Sequence, residues 1–122
     1  MVYVNTRSML LKAHRGDYAV GAFNTSNLEF TKSIVRAAEE MNSPVIVQAS
    51  VKAIKYAGLK EMVAIVKTIA KDAKVPVALN LDHGPDYDWC KRCLQAGFSS
   101  VMIDASDRPF KENVALTKKV VN

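Results

Sequence analysis

The chain has 122 residues, of which 49% are hydrophobic and 24% charged, proportions typical of a single globular domain and not of a disordered protein. No apolar run is long enough to cross a bilayer, and the chain does not open with the basic and apolar regions of a secretory signal, so we expect a cytoplasmic protein. Its net charge of +5 does not indicate a nucleic-acid-binding protein, because the basic residues are spread along predicted helix faces and are not clustered with aromatic residues.

The first predicted elements are a short helix and a strand. Apolar residues have helical spacing over residues 6–15, and Gly16 is expected to end this helix at the C′ position. Residues 18–24 then alternate as a strand whose polar end is Asn24.

The next helix is expected to start at a capping box, because Ser26 and Glu29 have its spacing. It should end near Asn42. Its predicted buried stripe consists of Phe30, Ile34, Ala37, Ala38 and Met41.

A second strand and helix follow the same plan. Residues 45–49 form a predicted strand that ends at Ser50, and after a looser segment over 51–57 a helix is predicted over 59–73.

The third predicted strand, over residues 77–82, ends in an acid and an imidazole, Asp82 and His83. Alternation places an apolar set on one face and a more polar set on the other, namely Val77, Leu79 and Leu81 against Ala78, Asn80 and Asp82. Loops at such strand ends build the sites of α/β folds, although a solvated turn after an ordinary buried strand would look the same. Strict alternation would also turn His83 away from Asp82.

The fourth unit starts with a helix that begins at the N-cap Asp86 and closes at Gly97. A strand over residues 100–104 ends in Asp104, and Pro109 suits position N1 of a last helix. The predicted apolar stripe of that helix is Phe110, Val114, Thr117 and Val121.

The order of these units predicts a parallel sheet covered by helices. The strands end in polar residues that would share one rim, namely Asn24, Ser50, Asp82 and Asp104. In a (β/α)₈ barrel this rim is where catalysis occurs, and a whole barrel takes about 250 residues. The sequence therefore predicts an α/β fold, the first half of such a barrel, as a single incomplete domain over residues 1–122.

The residues at this rim allow metal and proton chemistry. His83 is a candidate metal ligand and Asp82 a candidate general acid or base. A catalytic zinc normally takes three protein ligands, and the only other histidine, His14, lies in the first predicted helix. Asp104 could supply an oxygen ligand, but an aspartate at a strand end is also a common turn former or helix cap.

The segment from Trp89 to Cys93 also resembles the Trp-Cys-x-x-Cys pair of thioredoxin-like redox proteins. In those proteins the first cysteine lies at a helix N-terminus, whereas Cys90 should lie a full turn inside its helix. Cys90, Cys93, Leu94 and Gly97 share one helical face, which favours packing against the sheet, while the redox interpretation remains an alternative.

Four motifs, in register with the four predicted strands, together resemble one enzyme family over essentially the whole chain. They are Gly21-Ala22-Phe23-Asn24, Ser43-Pro44-Val45-Ile46, Leu81-Asp82-His83-Gly84 and the run from Ala96 to Ser106. With them the chain resembles the class II fructose-bisphosphate aldolases and their tagatose-bisphosphate relatives, of which it would be the N-terminal half. The resemblance implies a cytoplasmic, dimeric or tetrameric barrel enzyme of glycolysis that splits a ketose bisphosphate into dihydroxyacetone phosphate and an aldehyde.

The resemblance also implies roles for individual residues and a metal cofactor. His83 would bind Zn²⁺ or another divalent metal, which would polarise the substrate ketone, and a monovalent cation is a further candidate cofactor. Asp82 would move the proton at the C4 hydroxyl, and Asn24 and Ser50 would line the substrate pocket. Asp104 would lie at the metal, as a carboxylate behind its ligand or as an alternative ligand.

The chain also departs from the family pattern. Val51 and Lys52 stand where an acidic residue and a glycine are common, and Asp107 and Arg108 stand where a histidine pair is common. The remaining ligands and phosphate loops of the family lie beyond this sequence, so we expect the chain alone to be inactive and to oligomerise through its open sheet edges. A tagatose-bisphosphate aldolase and a non-catalytic half-barrel interaction module are the alternatives.

Overall fold

The structure is a computed structural model that describes residues 2–122. Apart from an additional helix, α3, helices and strands alternate along the chain as the sequence predicts. Their bounds are α1 (Thr6–Arg15), β1 (Gly21–Asn24), α2 (Leu28–Glu40), β2 (Val45–Ser50), α3 (Val51–Ala57), α4 (Leu59–Asp72), β3 (Val77–Gly84), α5 (Tyr87–Ala96), β4 (Ser100–Ile103) and α6 (Phe110–Val121).

The strands form one parallel sheet in the order β1-β2-β3-β4, so each strand–helix unit lies beside the preceding one. One face of the sheet packs against helices, and its side chains, such as Val47, Leu79 and Leu81, are fully buried. The opposite, inner face is apolar at its amino end, where Met9 of α1 packs on Ile46 and Ala78. The α1 helix therefore covers the inner face at the end opposite the predicted rim.

An irregularity at the end of β3 decides where His83 lies. Between the paired positions Leu81 and Gly84 β3 advances by three residues, while β4 advances by two between Val101 and Ile103. The extra residue is a β-bulge, and His83 within it has a left-handed backbone, with φ of 52°. The strict alternation expected from the sequence is thereby broken, and His83 turns to the same rim as Asp82 and not away from it.

Gly84 allows this bulge to lie close to α5 and β4. A Cβ at this position would lie 2.9 Å from Cys90 Sγ and 2.9 Å from the carbonyl oxygen of Met102. The close approach of β3 to both β4 and α5 therefore requires a residue without a side chain.

The start and the buried face of α2 differ from the sequence prediction. The N-cap is Asn27, whose Oδ1 accepts a hydrogen bond from the Phe30 amide at 2.9 Å. The prediction of a capping box at Ser26 and Glu29 is therefore wrong. Phe30 and Met41 are 57% and 75% exposed. The buried residues of α2 are Thr31, Val35 and Ala38, of which only Ala38 belongs to the predicted stripe. The buried face differs from the predicted stripe because α2 packs against α4 as well as against β2. Part of the predicted stripe lines an open apolar groove of about 530 Å³ beside β1.

The last helix buries less than its pattern predicts. None of the residues of α6 is fully buried, and Phe110 and Val121 of the predicted stripe are 81% and 78% exposed. Pro109 is the N-cap and not the first helical residue. Helical spacing indicates which residues share a face, but here β4 and α5 cover only part of that face.

Three smaller differences concern local geometry. Residues 51–57 form the helix α3 because the Ser50 hydroxyl oxygen accepts a hydrogen bond from the Ala53 amide at 3.2 Å. Gly16 ends α1 as predicted, but the left-handed residue is Asp17, with φ of 54°. Leu94, predicted to pack against the sheet, is 47% exposed.

Within residues 2–122 no helix has the length and apolar character needed to cross a membrane.

Candidate active site

Asp82 lies at the carboxyl end of β3, on the inner face of the sheet. Its side chain is 20% exposed. Its Oδ2 accepts a hydrogen bond from the Asn24 amide nitrogen at 2.8 Å, so the side chains that end β1 and β3 meet as the sequence predicts. Because one carboxylate oxygen is held by this donor, Asp82 has a defined orientation towards the rim.

His83 and Asp104 form a close pair across the ends of β3 and β4. The distance from His83 Nδ1 to Asp104 Oδ2 is 2.6 Å. Hydrogen bonds from Ser106, and then the one from His83, hold the pKa of the Asp104 carboxyl well below its usual range. The hydrogen bond to Asp104, and then the nearby Asp82, raise the pKa of the His83 imidazole. An ionised Asp104 therefore keeps a proton on Nδ1 of His83 and leaves the lone pair of a neutral imidazole on Nε2.

The free nitrogen of His83 faces Asp82. The distance from His83 Nε2 to Asp82 Oδ1 is 3.5 Å, and the His83 side chain is 61% exposed. The structure therefore brings together Asn24, Asp82, His83 and Asp104 at one rim, where His83 Nε2 lies beside Asp82 Oδ1.

The donor set of this rim fits part of a metal site. An imidazole whose Nδ1–H is held by a carboxylate is the usual arrangement behind a metal-ligating histidine. Within residues 2–122, however, no group of three or more His, Cys, Asp and Glu side chains is arranged to hold a metal ion. His14 lies on α1, away from this rim. His83 Nε2 thus fits one metal position, and a complete catalytic site needs further ligands.

Ser50 lies at the same level of the rim as Asp82, its register partner in β3. Its Oγ is the N-cap acceptor of α3, and within residues 2–122 it makes no hydrogen bond to the other rim side chains. Together with Ser26, Asn27 and Lys52 it lines a separate depression of about 360 Å³. Ser50 can still donate its own hydroxyl proton to a ligand in that depression.

The sequence interpretation missed two amides that support Asn24. Gln48 Nε2 donates to Asn24 Oδ1 at 2.9 Å, and Asn80 Nδ2 lies 3.4 Å from Gln48 Oε1. The signal was present, because Gln48 and Asn80 each precede a rim residue, Ser50 and Asp82, by two positions on the same strand face.

The two cysteines of α5 are buried. Cys90 and Cys93 are 1% and 0% exposed, and both are free thiols in the core behind the sheet. Burial raises the pKa of both thiols, that of Cys93 to about 11. This environment is the opposite of the electropositive, accessible one that activates a redox thiolate.

We expect both cysteines to react slowly with iodoacetamide at neutral pH, because little thiolate forms and neither sulfur is accessible. Mass spectrometry of the native and the urea-unfolded chain measures the difference, with free glutathione as the reference thiol. Labelling of native Cys90 as fast as that of glutathione would contradict this prediction and restore the redox alternative.

Comparison with protein families gives a match over residues 4–122 to the family model "Fructose-bisphosphate aldolase class-II". The chain is 51% identical to a fructose-bisphosphate aldolase of Geobacillus stearothermophilus, with 99% of this chain and 43% of the relative aligned. It is 49% identical to a fructose-bisphosphate aldolase of Helicobacter pylori, with 97% and 39% aligned. The chain thus spans less than half the length of these curated relatives.

Solved structures show the same relation. The YdjI aldolase of Escherichia coli K12 superimposes with a TM-score of 0.89 at 31% identity, covering 98% of this chain and 45% of that structure. A putative fructose-1,6-bisphosphate aldolase of Coccidioides immitis superimposes with a TM-score of 0.83 at 32% identity, covering 93% and 45%. The fold prediction is confirmed, since the described strands and helices form half of a barrel.

Proposed function

Since this chain belongs to the class II fructose-bisphosphate aldolase family, we propose that it forms the first half of a barrel that cleaves a ketose bisphosphate. The products would be dihydroxyacetone phosphate and an aldehyde, and the reaction would be reversible. Fructose 1,6-bisphosphate is the preferred candidate substrate, with glyceraldehyde 3-phosphate as the aldehyde, because the relatives at about half identity are named for fructose bisphosphate. Tagatose 1,6-bisphosphate is the alternative.

The observation that carries the proposal is the geometry of Asp82 and His83. A carboxylate oxygen and an imidazole nitrogen lie 3.5 Å apart at the rim, and each residue is held from behind by another side chain. Side chains held in this way keep their orientation when substrate binds, so little reorganisation is needed in the reaction.

The proposed role of Asp82 is to move the proton of the substrate C4 hydroxyl. In cleavage the C3–C4 bond breaks, the C4 oxygen loses its proton to Asp82 Oδ1 and becomes the carbonyl oxygen of the aldehyde. The electron pair of the broken bond stays on C3, next to the C2 ketone, until C3 is protonated. In condensation Asp82 returns the proton to the new C4 hydroxyl.

The metal position of the proposal uses His83 and Asp104. His83 Nε2 would be one ligand, and Asp104 would hold the ring by its Nδ1–H. A bound divalent metal, which we propose to be zinc, supplies Lewis acidity at the substrate ketone. We propose that the chain alone is inactive, because one imidazole is fewer than the three protein ligands that a catalytic zinc usually has.

Asn24 and Ser50 complete the proposal as substrate-binding residues. Asn24 keeps an amide at the inner edge of the site, and the Ser50 hydroxyl faces the depression that Lys52 also lines. We propose a cytoplasmic, glycolytic role; the multiply charged sugar bisphosphate does not cross a membrane unaided, which is compatible with a cytoplasmic site of action.

The experiment that tests the proposed function is a chimera in which residues 1–122 replace the corresponding part of the Geobacillus stearothermophilus aldolase. We expect the chimera to cleave fructose 1,6-bisphosphate in an NADH-coupled assay, to lose activity with EDTA and to regain it with Zn²⁺. The unaltered Geobacillus enzyme is the control. A chimera that folds and binds zinc but does not cleave the sugar would contradict the proposal.

A homo-oligomer is part of the proposal, and a non-catalytic assembly module is the second candidate function. The observation that favours both is the apolar surface beside β1, where Phe23 and Met41 are 54% and 75% exposed. Contiguous apolar surface at an open sheet edge is typically covered by further protein. The chimera separates the candidates, because a module used only for assembly would not restore cleavage.

A further inference from the structure

A series of side-chain hydrogen bonds crosses the inner face of the sheet from α1 to Asp82. We infer that this relay orients the Asn24 amide and thereby reserves Asp82 Oδ1 as the oxygen that carries the proton. The inference rests on the proposed role of Asp82 as the proton-transfer group. Its positioning residues, in order from α1, are Thr6, Ser100, Asn80 and Gln48.

The relay begins at the first residue of α1. Thr6 is 7% exposed, and its Oγ1 donates to Ser100 Oγ at 2.9 Å. Ser100 Oγ donates to Asn80 Oδ1 at 2.8 Å. These two bonds connect α1 with the inner faces of β4 and β3.

The relay continues through amide groups on the inner faces of the other strands. Asn80 Nδ2 donates to Gln48 Oε1 at 3.4 Å, which is the longest link, and Gln48 Nε2 donates to Asn24 Oδ1 at 2.9 Å. Register explains the sequence of contacts, because Asn24, Gln48, Asn80 and Ser100 are paired positions on the four neighbouring strands. The last bond runs from Asn24 Nδ2 to Asp82 Oδ2 at 2.8 Å.

The chemistry of the two ends gives the relay a single direction. An ionised carboxylate only accepts hydrogen bonds, so Asn24 must turn its NH₂ group towards Asp82. Its carbonyl oxygen then needs a donor, which Gln48 supplies, and the same reasoning passes to Asn80. Ser100 donates to Asn80 and accepts from Thr6, whose hydroxyl proton is the first donor of the series.

This direction distinguishes the two oxygens of Asp82. Oδ2 is occupied by the Asn24 donor, whereas Oδ1 accepts nothing from Asn24 and lies 3.5 Å from His83 Nε2. A flipped Asn24 amide would set its carbonyl oxygen against Oδ2, and the Asp82 carboxylate would have to rotate away. The relay prevents this flip because each amide already has its oxygen and nitrogen committed to a neighbour.

The test removes the first donor without changing the shape of the side chain. Thr6→Val lacks the hydroxyl, Thr6→Ser keeps it, and Ser8→Ala removes a different α1 hydroxyl that donates to the Asn5 carbonyl outside the relay. The Asn24 side-chain amide is followed by ¹⁵N–¹H NMR in the 122-residue chain, without metal or substrate. We expect its resonances to shift in Thr6→Val and to keep their positions in Thr6→Ser and Ser8→Ala.

Ser100→Ala interrupts the same relay at its next hydrogen bond, and the Asn24 resonances are measured in this variant if Thr6→Val does not fold. In the chimera described above, we expect Thr6→Val to lower kcat by roughly two- to fivefold with KM unchanged, and Thr6→Ser to restore it. An Asn24 amide that is unaffected in both folded variants would overturn the relay and leave the aldolase proposal intact. An inactive chimera, together with Asn24 resonances that shift in the variants, would overturn the aldolase proposal and leave the relay intact.

Discussion

Asp82→Ala in the chimera is expected to lower kcat for fructose 1,6-bisphosphate cleavage by about 10²- to 10⁴-fold, the usual contribution of a positioned general acid or base. Without the carboxylate the proton of the C4 hydroxyl has no acceptor in the site as the C3–C4 bond breaks. Zinc content should stay at the unsubstituted level, because the proposed ligand is the neighbouring imidazole. Steady-state kinetics and metal analysis of the purified protein measure both quantities.

Two variants control this experiment. Asp82→Asn keeps the size of the side chain and an oxygen that can accept from Asn24, so it separates the loss of the proton acceptor from the loss of packing. Asp88→Asn removes an exposed carboxylate of α5 that pairs only loosely with Arg92, at 3.8 Å, and should leave kcat unchanged. If Asp82→Ala kept more than a tenth of the activity, the proposed role of this residue would be wrong.

His83→Ala is expected to lose zinc and, with it, cleavage activity. Removing the imidazole takes away the one ligand that this half of the barrel is proposed to supply, and the remaining ligands cannot complete the coordination. In the chimera that retains His83, zinc binding should weaken as the pH falls, because a proton competes with the metal for Nε2. The raised pKa of His83 moves that competition towards neutral pH. Metal analysis after dialysis and titration with a zinc indicator measure the change.

Two comparisons show whether the effect is specific to this position. His14→Ala removes the only other histidine of the chain, on α1, and should leave zinc affinity unaltered. Asp104→Asn keeps the imidazole but weakens its support, and it should lower zinc affinity by about 10- to 100-fold. Full zinc occupancy in His83→Ala would exclude this residue as a ligand.

Local patterns were sufficient for much of the fold. The face of β3 that carries Val77, Leu79 and Leu81 is fully buried, as alternation predicts. The helix α5 begins after Asp86, whose carboxylate accepts from the Trp89 amide, and ends at a left-handed Gly97. These features depend on neighbours within a few residues, which the sequence contains in full.

Local patterns failed where burial depended on more distant partners. Phe30 and Phe110 have helical spacing with other apolar residues and are nevertheless exposed, since the sheet and helices within residues 2–122 do not cover them. The rim shows the same limit. The polar residues at the strand ends were identified from alternation, but their pairing depended on how the strands align.

The sequence by itself determined the order of the strands and helices, the polar rim and the candidate residues Asn24, Asp82, His83 and Asp104, because these follow from periodicity and from motifs. The tertiary structure decided that the β3 bulge turns His83 towards Asp82, that Asp104 holds its Nδ1, and that Gln48 and Asn80 support Asn24. The hydrogen bonds of Asp104, Gln48 and Asn80 join residues at least 21 positions apart in the chain, and the bulge depends on how β3 pairs with β4. Small shifts of register decide whether these features form. No periodic pattern encodes such shifts.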